Sequence, residues 1–305
     1  MNSKRVLLTG ATGFIGRHCI PELLARGYEV HAVSSRPAGA IDGVQWHRAD
    51  LHEGGETDAL LEKVRATHLL HLAWYAVHGR YWQALENLDW VQASLRLLRA
   101  FVKHGGQRAT FAGTCAEYDW TAGRCSEDTT PLRPQALYGV CKHALHLVLD
   151  EVSRQTGLGS AWGRVFFLYG PAEQPGRLVP SVICSLLRRQ PVSCSTGEQM
   201  RDYLYVADVA SAFVAVLDSA LQGAVNIGSG TPFSVRQIVD RIVNKLGHSE
   251  LVSFGRRESR QDEAALVLAD VNRLATQARW SPRFSLDQGL DLTISWWREH
   301  LDVRG

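Results

Sequence analysis

The sequence lacks the features that mark several classes of protein. Its 305 residues include six cysteines, which form no CxxC pair and no His/Cys cluster at metal-ligand spacing: Cys19, Cys115, Cys125, Cys141, Cys184 and Cys194. Scattered cysteines of this kind are typical of reduced thiols. We therefore expect free thiols and no metal centre.

An excess of one charge and a long apolar run are also missing. The 33 basic and 31 acidic residues give a net charge of +2, which argues against nucleic acid or an anionic membrane as a partner. No stretch approaches the ~20 apolar residues of a membrane span. The first apolar run breaks into a glycine loop too early for a signal peptide. The sequence predicts a cytoplasmic protein with no membrane segment.

The first half of the chain alternates short apolar runs with helical stretches. Strands are predicted at residues 5–10, 29–34, from 67 and at 109–114, and helices at 17–26 and 90–103. Alternation of nearly continuous apolar strands with helices predicts a parallel sheet covered on both faces. The fold class is therefore α/β, with a Rossmann-type doubly wound parallel sheet.

The second half has a less regular pattern. It contains a Pro/Gly-rich stretch, a helical pattern near residues 181–189 and a Trp-rich final helix. We predict a Rossmann cofactor-binding domain at residues 1–166, with elements returning near 201–228. Residues 167–305 are predicted to form mainly a smaller α/β lobe for the substrate.

A glycine-rich loop follows the first strand and opens a helix. Its glycines are Gly10, Gly13 and Gly16, and in this context they allow a tight turn and a close approach of backbone amides to a pyrophosphate. The free N–H groups at the start of the helix favour the same anion. The sequence therefore predicts a dinucleotide bound by Gly10, Thr12, Gly13, Phe14, Ile15 and Gly16.

The end of the second strand bears on the choice of cofactor. A carboxylate there binds the ribose hydroxyls of NAD, whereas basic groups accommodate the phosphate of NADP. This strand ends in Ser34-Ser35-Arg36, and a guanidinium pairs well with phosphate. We predict NADP (NADPH), with NAD as the alternative if Arg36 is only a solvated loop residue. Asp50 and Leu51 are predicted to contact the adenine.

Three polar residues form a candidate catalytic set. Tyr138 and Lys142 are four residues apart and share one helix face. A neighbouring ammonium favours the ionised phenol and is expected to lower the pKa of Tyr138 toward the working range. Thr114, at the end of a buried strand, places a hydroxyl where it can bind a carbonyl oxygen.

With these motifs the chain resembles an extended short-chain dehydrogenase/reductase of the nucleotide-sugar epimerase/dehydratase/reductase family. The resemblance covers nearly the full length. Its ordered motifs are TGATGFIG, AD at residues 49–50, HLA at 71–73, GTCAEY at 113–118, YGVCK at 138–142, YGP at 169–171, RDYLYVADV at 201–209 and NIGSG at 226–230.

The resemblance implies roles for individual residues. Tyr138 becomes the acid/base, Lys142 its electrostatic partner and ribose anchor, and Thr114 the hydroxyl that faces the substrate. Arg201 is expected to bind the diphosphate of a nucleotide sugar, unless it only ties its loop to Asp202 or Asp208. Further cofactor contacts are Leu72, Ala73 and Trp74, and further substrate contacts are Tyr75, Cys115, Ala116, Phe167, Arg177, Val179 and Arg260, with Arg257 replacing Arg260 in a shifted register.

Two departures from the family pattern concern the substrate. Phe167 stands where most members carry Asn, and Trp90 stands where the family often has Asn. A polar contact to the substrate is therefore expected to be missing. The family also implies a homodimer through the helices at 90–103 and 138–154.

The reaction follows from the residues after Thr114. Dehydratases of the family carry acidic residues there, whereas this chain has Cys115 and Ala116, so dehydration is disfavoured. The serines and arginine after the second strand disfavour a 4-epimerase, which retains NAD. The sequence predicts NADPH-dependent reduction of a 4-keto-6-deoxy nucleotide sugar. The alternatives are an NAD-dependent 4-epimerase and, less favoured, a 4,6-dehydratase, a reductase of non-sugar ketones or a catalytically silent sensor of NADP(H).

Overall fold

The computed structural model describes residues 4–256 and 264–301. The strands are β1 Arg5–Thr9, β2 Glu29–Ser34, β3 Val44–Arg48, β4 His68–His71, β5 Arg108–Thr114, β6 Arg124–Cys125, β7 Gly159–Val165, β8 Phe167–Tyr169, β9 Val192–Ser193, β10 Met200–Tyr205, β11 Gly223–Ile227, β12 Pro232–Ser234, β13 Val252–Ser253 and β14 Leu266–Ala269. The helices are α1 Gly16–Ala25, α2 Gly54–Val64, α3 Glu86–Lys103, α4 Leu137–Thr156, α5 Leu178–Leu187, α6 Val206–Asp218, α7 Val235–Leu246, α8 Asn272–Gln277 and α9 Leu286–His300. In this part of the chain no helix is long and apolar enough to cross a membrane.

Seven parallel strands form the main sheet. Their order is β11-β7-β5-β4-β1-β2-β3, with every pair parallel. Alternate residues of β1 face opposite cores: Val6 and Leu8 pack with α1 and α6, and Leu7 packs with α2, α3 and α4. Helices therefore cover both faces of the sheet, and the predicted doubly wound Rossmann-type fold is confirmed.

The helix predicted at residues 90–103 begins earlier, at Glu86. Its first turn contains Asn87, which is fully buried although it is polar. The Asn87 amide donates hydrogen bonds to the carbonyl oxygens of Tyr81 and Ala84, at 2.7 and 2.8 Å. A buried polar residue interrupts the apolar periodicity, which is why the pattern alone placed the start one turn late.

A smaller lobe is built around β10. This strand pairs with β8, β12 and β14, and helices α5, α7 and α9 pack into one core beside it. The helix predicted near residues 181–189 begins earlier, at Leu178. Pro180 is compatible with this start because it lies in the first turn, where no intrahelical N–H is required. The boundary predicted between residues 166 and 167 remains a prediction.

Two expectations about buried side chains agree with the structure. His71 is satisfied in the core, since its Nδ1 lies 2.7 Å from Thr9 Oγ1 and its Nε2 lies 2.9 Å from Ser94 Oγ. Burial lowers the pKa of His71 to about 3, so it is neutral at physiological pH. All six cysteines are free and buried, as the sequence predicted.

Candidate active site

A cavity of about 2570 Å³ lies at the carboxyl edge of the main sheet. Its floor is formed by the ends of the parallel strands, and its far wall is formed by residues of the smaller lobe. Typical small-molecule pockets measure ~300–1000 Å³. This cavity therefore has room for a dinucleotide and a second ligand of nucleotide size.

Most of the predicted site residues line this one cavity. They are Gly10, Thr12, Gly13, Phe14, Ile15, Gly16, Ser34, Ser35, Asp50, Leu51, Leu72, Ala73, Trp74, Thr114, Cys115, Ala116, Tyr138, Lys142, Phe167, Arg177, Val179 and Arg201. Two predicted contacts, Arg36 and Tyr75, are not in the lining. Arg260 and its alternative Arg257 lie outside the described residues.

The glycine loop fits a dinucleotide. Gly10 adopts φ of 69°, and a Cβ atom there would stand 2.8 Å from the backbone nitrogen of Ala73. A Cβ atom at Gly16 would overlap the carbonyl oxygen of Gly10. These two positions therefore require glycine. The start of α1 consequently faces the cavity with its free N–H groups, the arrangement that binds a pyrophosphate.

Arg17 braces this loop and was missed by the sequence analysis. Its Nε donates to the Gly13 carbonyl oxygen at 3.1 Å and its Nη2 to that of Thr12 at 3.0 Å. The side chain also lines the cavity. An arginine directly after the last loop glycine was the available signal, since its charge adds to that of the helix N-terminus.

The end of β2 presents hydroxyls to the cavity. Ser34 and Ser35 line it, whereas Arg36 is exposed beside it and donates its backbone N–H to Ser34 Oγ at 3.2 Å. Asp50 follows β3 and accepts a hydrogen bond from the His52 N–H at 3.0 Å. The carboxylate in this part of the lining therefore comes from β3 and not from β2.

The candidate catalytic residues converge at the middle of the cavity. Tyr138, in the first turn of α4, forms a side-chain hydrogen bond with Thr114 at the end of β5. One turn on, Lys142 Nζ donates to the Ala112 carbonyl oxygen at 2.7 Å and lies 3.7 Å from the centre of the Trp74 ring. Burial lowers the pKa of Lys142 to about 7.

The predicted lowering of the Tyr138 pKa by Lys142 is wrong. Burial, followed by the neighbouring Tyr81, raises the pKa of Tyr138 above its ordinary value. Removal of a phenol from water disfavours its charged form, while the Lys142 ammonium is directed at the Ala112 carbonyl and the Trp74 ring. Tyr138 is therefore protonated at neutral pH and ready to donate a proton.

Glu117 holds this part of the site in place and was not assigned a role from the sequence. Its Oε1 accepts hydrogen bonds from the Thr114 N–H and from Trp162 Nε1, both at 2.9 Å. Its Oε2 pairs with Arg164 Nε at 2.9 Å, and both charged groups are buried. The spacing Thr-x-x-Glu in GTCAEY is that of a capping box, and such a box forms here around Cys115–Glu117. This motif was the sequence signal that could have identified Glu117 as a structural residue.

Glu117 also lies within 4.8 Å of two histidines, His143 and His146, in a group that could hold a metal ion. The carboxylate is already paired with Arg164, and Arg164 Nη2 lies 3.4 Å from His146 Nδ1. A cation would therefore be placed against a buried guanidinium, which is unfavourable. We therefore interpret Glu117, His143 and His146 as residues that support the structure of the site and not as metal ligands.

A second buried carboxyl group lies in the cavity lining, at Glu173. It accepts a hydrogen bond from the Gly170 N–H, and its Oε2 has no hydrogen-bond partner among the described residues. Burial raises the pKa of Glu173 to about 8, so the group is largely protonated at neutral pH. Nothing in the sequence distinguishes it from an exposed loop glutamate.

Two arginines lie on the lobe side of the cavity. Arg201 is 4% exposed, and its Nη1 donates to the carbonyl oxygens of Met200 and Ala264, both at 2.8 Å. Its guanidinium lies 5.5 Å from the Phe167 ring centre. Arg177, directly before α5, lies 5.4 Å from the Tyr81 ring centre. Both guanidinium groups are therefore close to the space left for a second ligand.

The carboxylates considered as structural partners of Arg201 serve other segments. Asp202 accepts hydrogen bonds from the N–H groups of Ser229, Gly230 and Ala269. Asp208 accepts hydrogen bonds from those of Arg283 and Phe284. The hydrogen bonds of these aspartates within the described ranges therefore hold segments of the lobe together.

Comparison with known proteins agrees with this geometry. A model of the NAD dependent epimerase/dehydratase family matches residues 6–228. UDP-glucuronic acid decarboxylase 1 of Xenopus tropicalis is 26% identical over 310 residues, which cover 98% of this chain and 73% of that protein. MoeE5, solved in complex with UDP-glucose and NAD, is 30% identical with a TM-score of 0.84, over 97% of this chain and 99% of that one.

A UDP-glucose 4-epimerase of Thermus thermophilus, solved in complex with NAD, is similar as well. It is 27% identical with a TM-score of 0.82, over 96% of this chain and 99% of the other. The family match spans both the glycine loop and the Thr114, Tyr138 and Lys142 set. The chain therefore belongs to the NAD dependent epimerase/dehydratase family, whose members are extended short-chain dehydrogenase/reductase enzymes acting on nucleotide sugars.

Proposed function

We propose that the protein is a nucleotide-sugar 4-epimerase, which oxidises carbon 4 of the sugar and reduces it again from the other face. The observation that carries the proposal is the hydrogen-bonded Tyr138–Thr114 pair with Lys142 one helical turn away, beside the glycine loop. Cys115 and Ala116 follow Thr114 and add no acid or base suited to elimination. The 4-epimerases among the similar proteins support the same reaction.

In this proposal Thr114 and Tyr138 bind the oxygen on carbon 4, and Tyr138 holds or returns its proton. A bound nicotinamide would supply the hydride acceptor and, when oxidised, a positive charge beside the phenol. That charge favours the ionised phenol that oxidation requires. Lys142, whose Nζ is held by the Ala112 carbonyl oxygen, would anchor the ribose of the cofactor.

A second candidate is NADPH-dependent reduction of a 4-keto-6-deoxy nucleotide sugar. It is favoured by the protonated state of Tyr138, which suits donation to a ketone oxygen, and by the basic residue after Ser34 and Ser35. Hydride would arrive at the carbonyl carbon and the Tyr138 proton at its oxygen, which gives the alcohol.

One set of assays separates the two candidates. Purified protein is incubated with NAD and, in turn, UDP-glucose, UDP-galactose and UDP-glucuronate, and the products are resolved by chromatography. Formation of the 4-epimer without net NADH supports the epimerase. Consumption of NADPH only with a UDP- or dTDP-4-keto-6-deoxyglucose supports the reductase. Absence of both reactions contradicts the proposed function.

Cofactor preference gives a separate prediction. For the second candidate, in which Arg36 pairs with the additional phosphate, we expect NADPH to bind more tightly than NADH and Arg36→Ala to weaken NADPH binding about 10-fold while leaving NADH unchanged. Fluorescence titration of both cofactors measures this. Arg26→Ala removes an exposed arginine away from the cavity and is the matched control. Equal affinity for both cofactors in the wild type would contradict a role of Arg36 in cofactor choice.

Arg201 tests the class of substrate. A diphosphate loses water on entering the cavity, and a guanidinium replaces that water with paired donors. We expect Arg201→Met to weaken nucleotide-sugar binding by roughly 1.5–3 kcal/mol, the range for a lost charged hydrogen bond, and to leave cofactor affinity intact. Calorimetric titration of each ligand measures this. A lower melting temperature with equal loss of both ligands would instead assign Arg201 a structural role.

We also propose a homodimer through α3 and α4. These two helices pack against each other and carry exposed large apolar side chains: Leu88, Val140, Leu147 and Val148. Adjacent apolar side chains of this size on one surface are typical of a protein interface.

A further inference from the structure

Tyr138 is enclosed by two aromatic side chains from the loop before α3. The Tyr81 and Trp82 rings lie 4.9 and 5.9 Å from the Tyr138 ring, centre to centre, and both are nearly perpendicular to it. The Tyr138 N–H donates to the Trp82 carbonyl oxygen at 3.0 Å. This loop is therefore fixed against the start of α4, and Trp82 faces the reacting end of the cavity.

A second tryptophan comes from the segment after β5. The Trp120 ring lies 6.4 Å from that of Trp82 and 6.5 Å from that of Phe167. Its Nε1 donates to the Cys115 carbonyl oxygen at 2.7 Å, which ties it to the segment directly after Thr114. We call Trp82, Trp120 and Phe167 the aromatic wall. All three line the cavity and are half-buried.

The wall offers apolar surface and few hydrogen bonds. Near Trp82 and Trp120, Gln83 Oε1 accepts the Leu137 N–H at 3.3 Å and Asp119 Oδ1 accepts the N–H and hydroxyl of Thr121, whereas the Arg201 guanidinium lies on the Phe167 side. A ligand hydroxyl pressed against such a wall loses water without replacement, which is costly. A methyl group or the C–H face of a sugar ring gains there instead.

We propose that Trp82 and Trp120 determine substrate specificity by binding the apolar side of a deoxygenated sugar, so that the preferred substrate is a nucleotide-linked 6-deoxyhexose. This inference rests on the proposed function, because it takes the sugar to lie with carbon 4 at Tyr138. The position of Trp120 beside Cys115 places the wall next to that carbon. Phe167, whose ring lies 6.5 Å from that of Trp120, continues the same surface.

The test compares two ligands that differ in one hydroxyl. Protein carrying Tyr138→Phe, which prevents turnover, is loaded with NAD and titrated calorimetrically with UDP-glucose and with UDP-6-deoxyglucose. We expect the deoxy sugar to bind about 10-fold more tightly, the effect of one unpaired buried hydroxyl. Adding Trp82→Ala or Trp120→Ala should reduce this ratio to about 1–3.

Trp296→Ala is the matched control, since Trp296 lies on α9, stacked on His300 and outside the cavity lining. It should keep the full ratio. Trp82→Phe retains an aromatic face and should retain most of the preference, which separates recognition from misfolding. Equal or tighter binding of UDP-glucose, or a ratio that survives both alanine substitutions, would overturn the role of the wall.

Titrations with UDP and with dTDP, without a sugar, distinguish failure of the inference about the aromatic wall from failure of the proposed function. If only dTDP binds, the same comparison is made with dTDP-glucose and dTDP-6-deoxyglucose. If neither nucleotide binds, the proposed function fails. If a nucleotide binds and the sugars are not distinguished, only the inference about the wall fails.

Discussion

Replacing Tyr138 with phenylalanine will lower kcat by about 100- to 10,000-fold, the usual contribution of a positioned acid or base. The substitution removes the hydroxyl that bonds Thr114 but keeps the ring that contacts Tyr81 and Trp82. The loss should therefore appear in kcat more than in KM. Steady-state kinetics with whichever nucleotide sugar the proposed assays show to be turned over measure it, and fluorescence titration should show unchanged cofactor affinity.

Tyr28→Phe is the matched control for this experiment. Tyr28 undergoes the same chemical change directly before β2 and does not line the cavity. It should keep wild-type turnover. If Tyr138→Phe also kept wild-type turnover, the acid/base role would move to another group in the cavity, and the buried carboxyl of Glu173 would be the next candidate to substitute.

The grouping of the candidate catalytic residues could be predicted from the sequence because it depends on local geometry. Tyr138 and Lys142 share a helix face by their spacing alone, and Thr114 closes a strand whose apolar run is plain in the sequence. The glycine loop was predictable for the same reason, since Gly10 and Gly16 fill steric requirements set by their immediate neighbours. Local spacing is sufficient wherever the residues that interact belong to one or two adjoining elements.

Features that depend on distant segments were not predictable. Trp82 lies in the loop before α3 and Trp120 in the segment after β5, and their rings meet only in the folded structure. The raised pKa of Tyr138 results from burial by such loops, so the spacing to Lys142 suggested the opposite direction. No local sequence pattern distinguishes Glu173 from a glutamate in an exposed loop. Its burial, which sets it apart, is visible only in the folded structure.

Loss of Glu117 should strongly lower the stability of the protein. Its carboxylate and the Arg164 guanidinium are 0% and 1% exposed, so removal of one partner leaves a buried charge uncompensated. We expect Glu117→Ala to lower the free energy of unfolding by about 3–5 kcal/mol. Urea denaturation at pH 7 measures this. Glu151→Ala breaks an exposed pair with Arg154 and should leave the unfolding midpoint unchanged.

The double variant Glu117→Gln with Arg164→Met identifies the cause of that loss. If the penalty comes from the uncompensated guanidinium, removing the charge as well should recover much of the stability, because buried ion pairs replaced by neutral groups of similar volume are often tolerated. The glutamine can still accept the Thr114 N–H that Glu117 Oε1 accepts at 2.9 Å. Turnover should therefore recover together with stability. Recovery of stability without turnover in the double variant would mean that the negative charge of Glu117 itself acts on Lys142, whose charged form it favours. For the single variant Glu117→Ala, a loss of less than about 1 kcal/mol in the free energy of unfolding would contradict the assignment of this pair as the support of the site.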